Sequence, residues 1–172
     1  MTVVAFLEEA RQEIHHRVLQ DVSDRTREQL LWRPSPDINN IAYLLWHLVR
    51  IEDLTTQTQF RKAPTIYEAE GWASRLGLDP QLRPASLTPE QLGALAYRLE
   101  DFLPYAHRVW DSTSDVLKGM RDEDLEQAVK VADLPEATNV GALFRTVFVS
   151  HPWRHLGEIL YLKQLQGWRY HP

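Results

Sequence analysis

The stretch Phe144-Arg-Thr-Val-Phe148-Val-Ser-His151-Pro-Trp-Arg-His155-Leu-Gly-Glu-Ile159-Leu-Tyr-Leu162 decides how this chain is read. Its apolar residues recur at three-to-four spacing, which predicts an amphipathic helix. On a helical wheel, His151 and His155 fall in the middle of the stripe formed by Phe144, Phe148, Ile159 and Leu162, not on the wet face. Four residues apart, the two rings stand one turn from each other on the same side. An imidazole on a buried face costs free energy unless its nitrogens find partners, and two neighbours raise that cost. One shared metal ion resolves it, as in helical HxxxH zinc sites.

Outward from this segment the pattern stays helical. Asn139 caps a helix over 140–166, with Gly167 at its C-terminal end and Lys163 favoured in the last turn by the helix dipole. Upstream, Thr88-Pro89-Glu90-Gln91 has the cap, proline and glutamine of a helix start, so the spacing predicts a third helix to Lys118, kinked at Pro104. A first helix spans 3–19, with one further turn over 26–31. A second, capped by Asp37 or Asn39, runs to Phe60. The connections 61–87 and 119–138 are mixed; the first is expected to hold one short helix over 68–75, and both are expected near the mouth of the site. Four long helices with almost no strand signal make an all-α four-helix bundle in one domain, 1–172.

Composition removes several classes of function. The 172 residues contain 19 basic and 24 acidic side chains, a net charge of −5 with His neutral. No basic block offers a footprint for a phosphate backbone, so no nucleic acid is expected. No apolar run approaches the ~20 residues of a membrane span. Glu8 and Glu9 with no basic leader argue against a secretory signal, and a cytoplasmic location is expected. There is no cysteine, which excludes disulfides, thiolate ligands and a cysteine nucleophile. Metal chemistry must then use His, Asp and Glu.

The second helix offers the third ligand. His47 lies at the edge of the stripe of Ile41, Leu44, Leu48 and Ile51, next to Leu44 and Ile51. Glu52 lies inside that stripe, where a carboxylate needs a donor partner, and an N–H of a metal-bound His47 is one such partner. His15 and His16 point in different directions, so one is solvated; His107 and His171 read as structural or exposed. Glu13-x-x-His16 is half of a di-iron motif, and the chain has no second half. Trp46 and Trp153 fall off the apolar stripes and read as surface packing. Neither a phosphate-binding Gly loop nor a Gly-x-Ser-x-Gly elbow is present.

Taken together, Ile41-Ala-Tyr-Leu-Leu-Trp-His47-Leu-x-x-x-Glu52 and His151-x-x-x-His155-x-Gly157-Glu158-Ile159 resemble the DinB/YfiT-like superfamily of bacterial four-helix bundles. Gly71-Trp72-Ala-Ser-Arg75-Leu-Gly77 is similar to its Trp-x-x-[RK]-x-G stretch after the second helix. Two positions depart from the pattern: Leu156 stands where a basic residue is usual, and Pro152 interrupts the HxxxH. The resemblance implies one divalent ion, zinc or nickel, on His47, His151 and His155, with Glu52 and Glu158 behind the ligands and Glu158 not itself a ligand. It implies a small-molecule thiol and an electrophilic substrate as partners, and a homodimer. Lacking cysteine, the chain would draw its thiol from a cosubstrate such as glutathione, mycothiol or bacillithiol. Trp72, Arg75 and Arg154 are candidates for the thiol pocket. The same site serves a thiol S-transferase, a metal-dependent hydrolase, or a non-catalytic, stress-related binding protein with a structural metal.

Overall fold

The computed structural model describes residues 1–130 and 138–168, and His171 lies outside them. Helix α1 (Val3–Val22) starts where Thr2 Oγ1 accepts the Ala5 N–H at 3.1 Å. Its stripe of Leu7, Ile14, Val18 and Val22 is buried. A one-turn α2 (Arg27–Leu31) carries a capping box between Thr26 and Gln29. Helix α3 (Ile41–Thr55) is capped by Asn40, one residue beyond the expected caps, whose Oδ1 accepts the Tyr43 N–H at 2.7 Å. Asn40 also donates from Nδ2 to the Leu92 carbonyl, and this second tie across the bundle fixes it as the cap. A π turn, Thr56–Arg61, extends α3 to Lys62, which stops it in the left-handed region at φ 54°.

The excursion after α3 forms two single turns, α4 (Ile66–Ala69) and α5 (Trp72–Arg75). Asp53 holds the first of them by accepting the Ile66 and Tyr67 N–H groups, both at 2.9 Å, and the Tyr105 hydroxyl at 2.8 Å. The expected single helix over 88–118 is two helices, α6 (Pro89–Ala94) and α7 (Leu99–Lys118). The break falls at 95–98 and not at Pro104, which stays inside α7. Leu95 and Tyr97 are both buried. Two residues apart on a helix they would face nearly opposite ways, so unwinding lets both reach the core. Tyr97 then donates its hydroxyl to the Ala42 carbonyl at 2.7 Å.

After a 3₁₀ turn (Asp122–Glu126), β1 (Ala128–Val129) pairs antiparallel with β2 (Thr138–Asn139). The last arm is α8 (Val140–Phe144), a π turn (Arg145–Ser150) and α9 (His151–Leu165). Asn139 caps it by accepting the Ala142 N–H at 2.7 Å. Pro152 thus falls in the first turn of the resumed α-helix. In an uninterrupted helix its ring would strike the Phe148 carbonyl one turn back, and the wider π turn, which contains Phe148, gives it room.

Cross-contacts fix the topology. Antiparallel α1 and α7 meet at Glu8–Ser114 and His15–Trp110. The α3 arm runs parallel to α7 and the segment just before it, from Ala42–Tyr97 to Gln57–Ser112. The α3 arm runs against the last arm, from Phe60–Phe144 to His47–His155, and α1 runs with α9 through Arg17–Trp153 and Asp21–Lys163. The result is an up-down-down-up four-helix bundle. Two apolar clusters fill it, a larger one around Trp46, Tyr105 and Ile159 and a smaller one around Phe144 and Phe148. A polar layer of Arg11, Glu52, Thr56, Gln57, Ser112 and Thr113 is also buried in the bundle. Trp46 is fully buried, not a surface residue, because α3 is buried on almost every face. Among the described residues no helix is long and apolar enough to cross a membrane.

Candidate metal centre

Three imidazoles converge between α3 and α9. His47 Nε2 and His155 Nε2 each lie 3.0 Å from His151 Nε2. One donor atom from each ring falls within 4.8 Å of the others, and no fourth His, Asp or Glu joins the group among the described residues. His155 is buried, and His47 and His151 are half-buried. The rings meet edge to face at 65°, 81° and 87°, so their nitrogens point at a common centre instead of stacking.

The outer nitrogens show how the rings are held. His155 Nδ1 lies 3.0 Å from Glu158 Oε2, close enough to donate its proton there. A neutral His155 then presents a lone pair at Nε2. A single His151 Nε2 proton would have to serve both 3.0 Å contacts, whereas one cation satisfies all three lone pairs. Tetrahedral zinc–imidazole geometry needs nitrogens about 3.3 Å apart, so a small opening of the rings suffices. The donor set therefore fits one divalent ion. Tyr43, one turn before His47, stacks on that ring at 5.4 Å and is tied by its hydroxyl to the Ala85 carbonyl at 2.9 Å.

Electrostatics keeps two of the three imidazoles neutral. Burial, then His155 and Arg154, hold His47 down at about 4 against the opposing pull of the Pro84 carbonyl. That carbonyl makes no hydrogen bond of normal geometry with Nδ1, which is buried and unpartnered, as is His151 Nδ1. His151 is held at about 3 by burial, His155, His47 and Arg154 in that order. At neutral pH both rings offer lone pairs without first losing a proton.

Other residues singled out in the sequence fall elsewhere. Glu52 does not orient His47. Its Oε1 accepts from Arg11 Nη1 and its Oε2 lies against His15 Nε2, both at 2.9 Å. A buried carboxylate goes to the strongest donor in reach, and Arg11 on α1 supplies a full charge. Burial alone would raise the Glu52 carboxyl, but His15 and Arg11 bring it down to about 2. The signal for Arg11 was present: at spacings of four and three it shares the stripe of Leu7, Ile14 and Val18. His15 stacks on Trp110 at 4.4 Å, while His16 and His107 are exposed.

Trp72 is buried against Tyr105, gives its Nε1–H to Glu70 and is covered by Arg75. These partners tie Trp72 and Arg75 into the core beside α7. Arg154 is exposed and lies close enough to depress both His47 and His151. Of the two connections expected at the mouth, the first reaches it through Pro84 and Ala85. The described part of the second packs Leu125 on Gly141, ten residues before His151 and about 15 Å along the arm.

Known proteins agree with this architecture. The chain is similar to a crystallised conserved protein from Enterococcus faecalis, with 18% identity over 96% of this chain and 97% of that one and a TM-score of 0.82. No curated protein matches the chain. The family model of the DinB superfamily matches residues 7–159, from the α1 stripe through both histidines of α9, and the chain belongs to that superfamily.

Proposed function

We propose that this protein is a divalent-metal-dependent enzyme that activates a small-molecule thiol and transfers it to an electrophile. One observation carries the reading: three neutral-capable imidazoles share a centre with no fourth protein ligand among the described residues. Structural sites close with four protein ligands, and catalytic sites keep a position open. A divalent ion held there stabilises a thiolate at neutral pH. The chain's own residues prepare that step. Burial keeps His47 and His151 in the lone-pair form, Glu158 accepts the Nδ1 proton that aims His155, and the Tyr43 ring fixes the plane of His47. Zinc and nickel both suit three imidazoles. With no cysteine in the chain, the thiol arrives as a cosubstrate. The proposal includes a cytoplasmic homodimer, which a dimeric mass in light scattering tests and a monomeric mass removes.

The deciding experiment incubates zinc- or nickel-loaded protein with glutathione, mycothiol or bacillithiol and a general electrophile. Conjugation that prefers one thiol and disappears in His151→Ala supports the transferase. Metal-dependent ester cleavage without thiol dependence moves the same site to a hydrolase. Retention of metal with neither activity moves it to a binding protein.

A further inference from the structure

The arrangement of α9 around the histidines places one cation without a partner. His151, Arg154, His155 and Glu158 follow at three- and four-residue spacing, so all four project to one side of the helix. Glu158 is the natural i+4 partner for Arg154, but its carboxylate is engaged by His155 Nδ1 at 3.0 Å. Arg154 has no ion pair among the described residues and stands exposed beside the buried His155. A fixed positive charge next to a dication site repels the ion the site is built to hold. The Glu158 carboxylate lies on His155 Nδ1 and leaves the guanidinium itself without an ion pair among the described residues. A ligand that brings a negative group to the guanidinium offsets that cost.

We propose that Arg154 is a specificity-determining residue that selects ligands carrying a carboxylate close to the atom that binds the metal. The proposal rests on the metal-dependent thiol reading above. The planar guanidinium presents paired N–H donors that match a carboxylate in two parallel hydrogen bonds, a fit an ammonium does not reproduce. Its position within the HxxxH places this contact beside the centre. The long α9 helix, not a loop, sets the separation of charge and metal, so the length of the ligand's spacer matters.

The test measures binding, not turnover. Zinc-loaded protein is titrated calorimetrically with mercaptoacetate, 3-mercaptopropionate and 2-mercaptoethanol, after its zinc content is determined. The expected result is that one carboxylate-bearing thiol binds about tenfold more tightly than 2-mercaptoethanol. In Arg154→Gln that preference falls below about twofold while zinc content does not fall; Arg154→Lys recovers only part of it. Equal binding of all three thiols, or a preference that survives in Arg154→Gln, overturns the role of Arg154 and leaves the metal-thiol reading intact. Absence of zinc uptake, or of any thiol binding by the zinc form, overturns both readings together.

Discussion

Replacing Glu52 with Gln separates the bundle's two polar centres. Glu52 is 4% exposed and touches Arg11 and His15. A carboxyl held at about 2 in the fold and 4.5 in the unfolded chain contributes about 3 kcal/mol at neutral pH. Breaking a buried pair costs about 3–5 kcal/mol. Arg11 keeps Glu8 at 2.8 and 3.0 Å, so the lower end of that range applies. The expected loss for Glu52→Gln is therefore about 3 kcal/mol, or about 6–12 °C in Tm for a chain of this size. As pH falls below 4.5 the unfolded chain takes up the proton first, so the stabilisation is present above that value and disappears towards pH 2. By pH 3 about 2 of the 3 kcal/mol are gone. Urea unfolding of metal-free wild type and Glu52→Gln at pH 7, 5 and 3 measures the difference directly. A loss under ~1 kcal/mol at pH 7, or one that does not shrink with acid, refutes the assignment. So does a large drop in zinc affinity, because Glu52 touches no ligand.

His155→Ala removes metal retention measured by elemental analysis, whereas His107→Ala, at an exposed site on α7, leaves it unchanged. Glu158→Ala frees the Nδ1 face of His155 and lowers zinc affinity about 10–100-fold in a chelator competition, with little change in the circular dichroism spectrum. His47 and His151 bind protons at about 4 and about 3 in the fold against 6.5 when unfolded, so metal-free protein loses stability as pH falls from 6.5 towards 3–4, and His151→Phe flattens that part of the curve. Tyr97→Phe removes the hydroxyl's bond to the Ala42 carbonyl and costs about 1 kcal/mol in urea unfolding.

The helices were legible because their signals are local. Thr88 and Gln91 form the capping box their spacing announces, and Asn139 caps the last arm as its position suggests. The HxxxH reads off one helix face. What the sequence withheld depends on partners far along the chain. Glu52 announced a need for a donor but not which one, since Arg11 reaches it only when α1 and α3 are packed. The break at 95–98 was hidden because the burial of both Leu95 and Tyr97 shows only once the helices are packed. Trp46 was misplaced because a wheel assumes one wet face, and α3 has almost none.

The π turn before His151 makes the metal centre a matter of counting. A π turn holds an extra residue without adding a helical turn, and this one lies between the Phe144–Phe60 contact and the first ligand. Winding 145–150 as an ordinary α-helix, with no residue removed, would leave α8 anchored. His151 and His155 would then swing by about 100° and slide about 1.5 Å relative to His47. Every ligand would still be present in the sequence, and the centre would be gone. Two chains of this superfamily with identical histidines can thus differ in whether they assemble a metal site through the winding of a single turn six or fewer residues upstream of it.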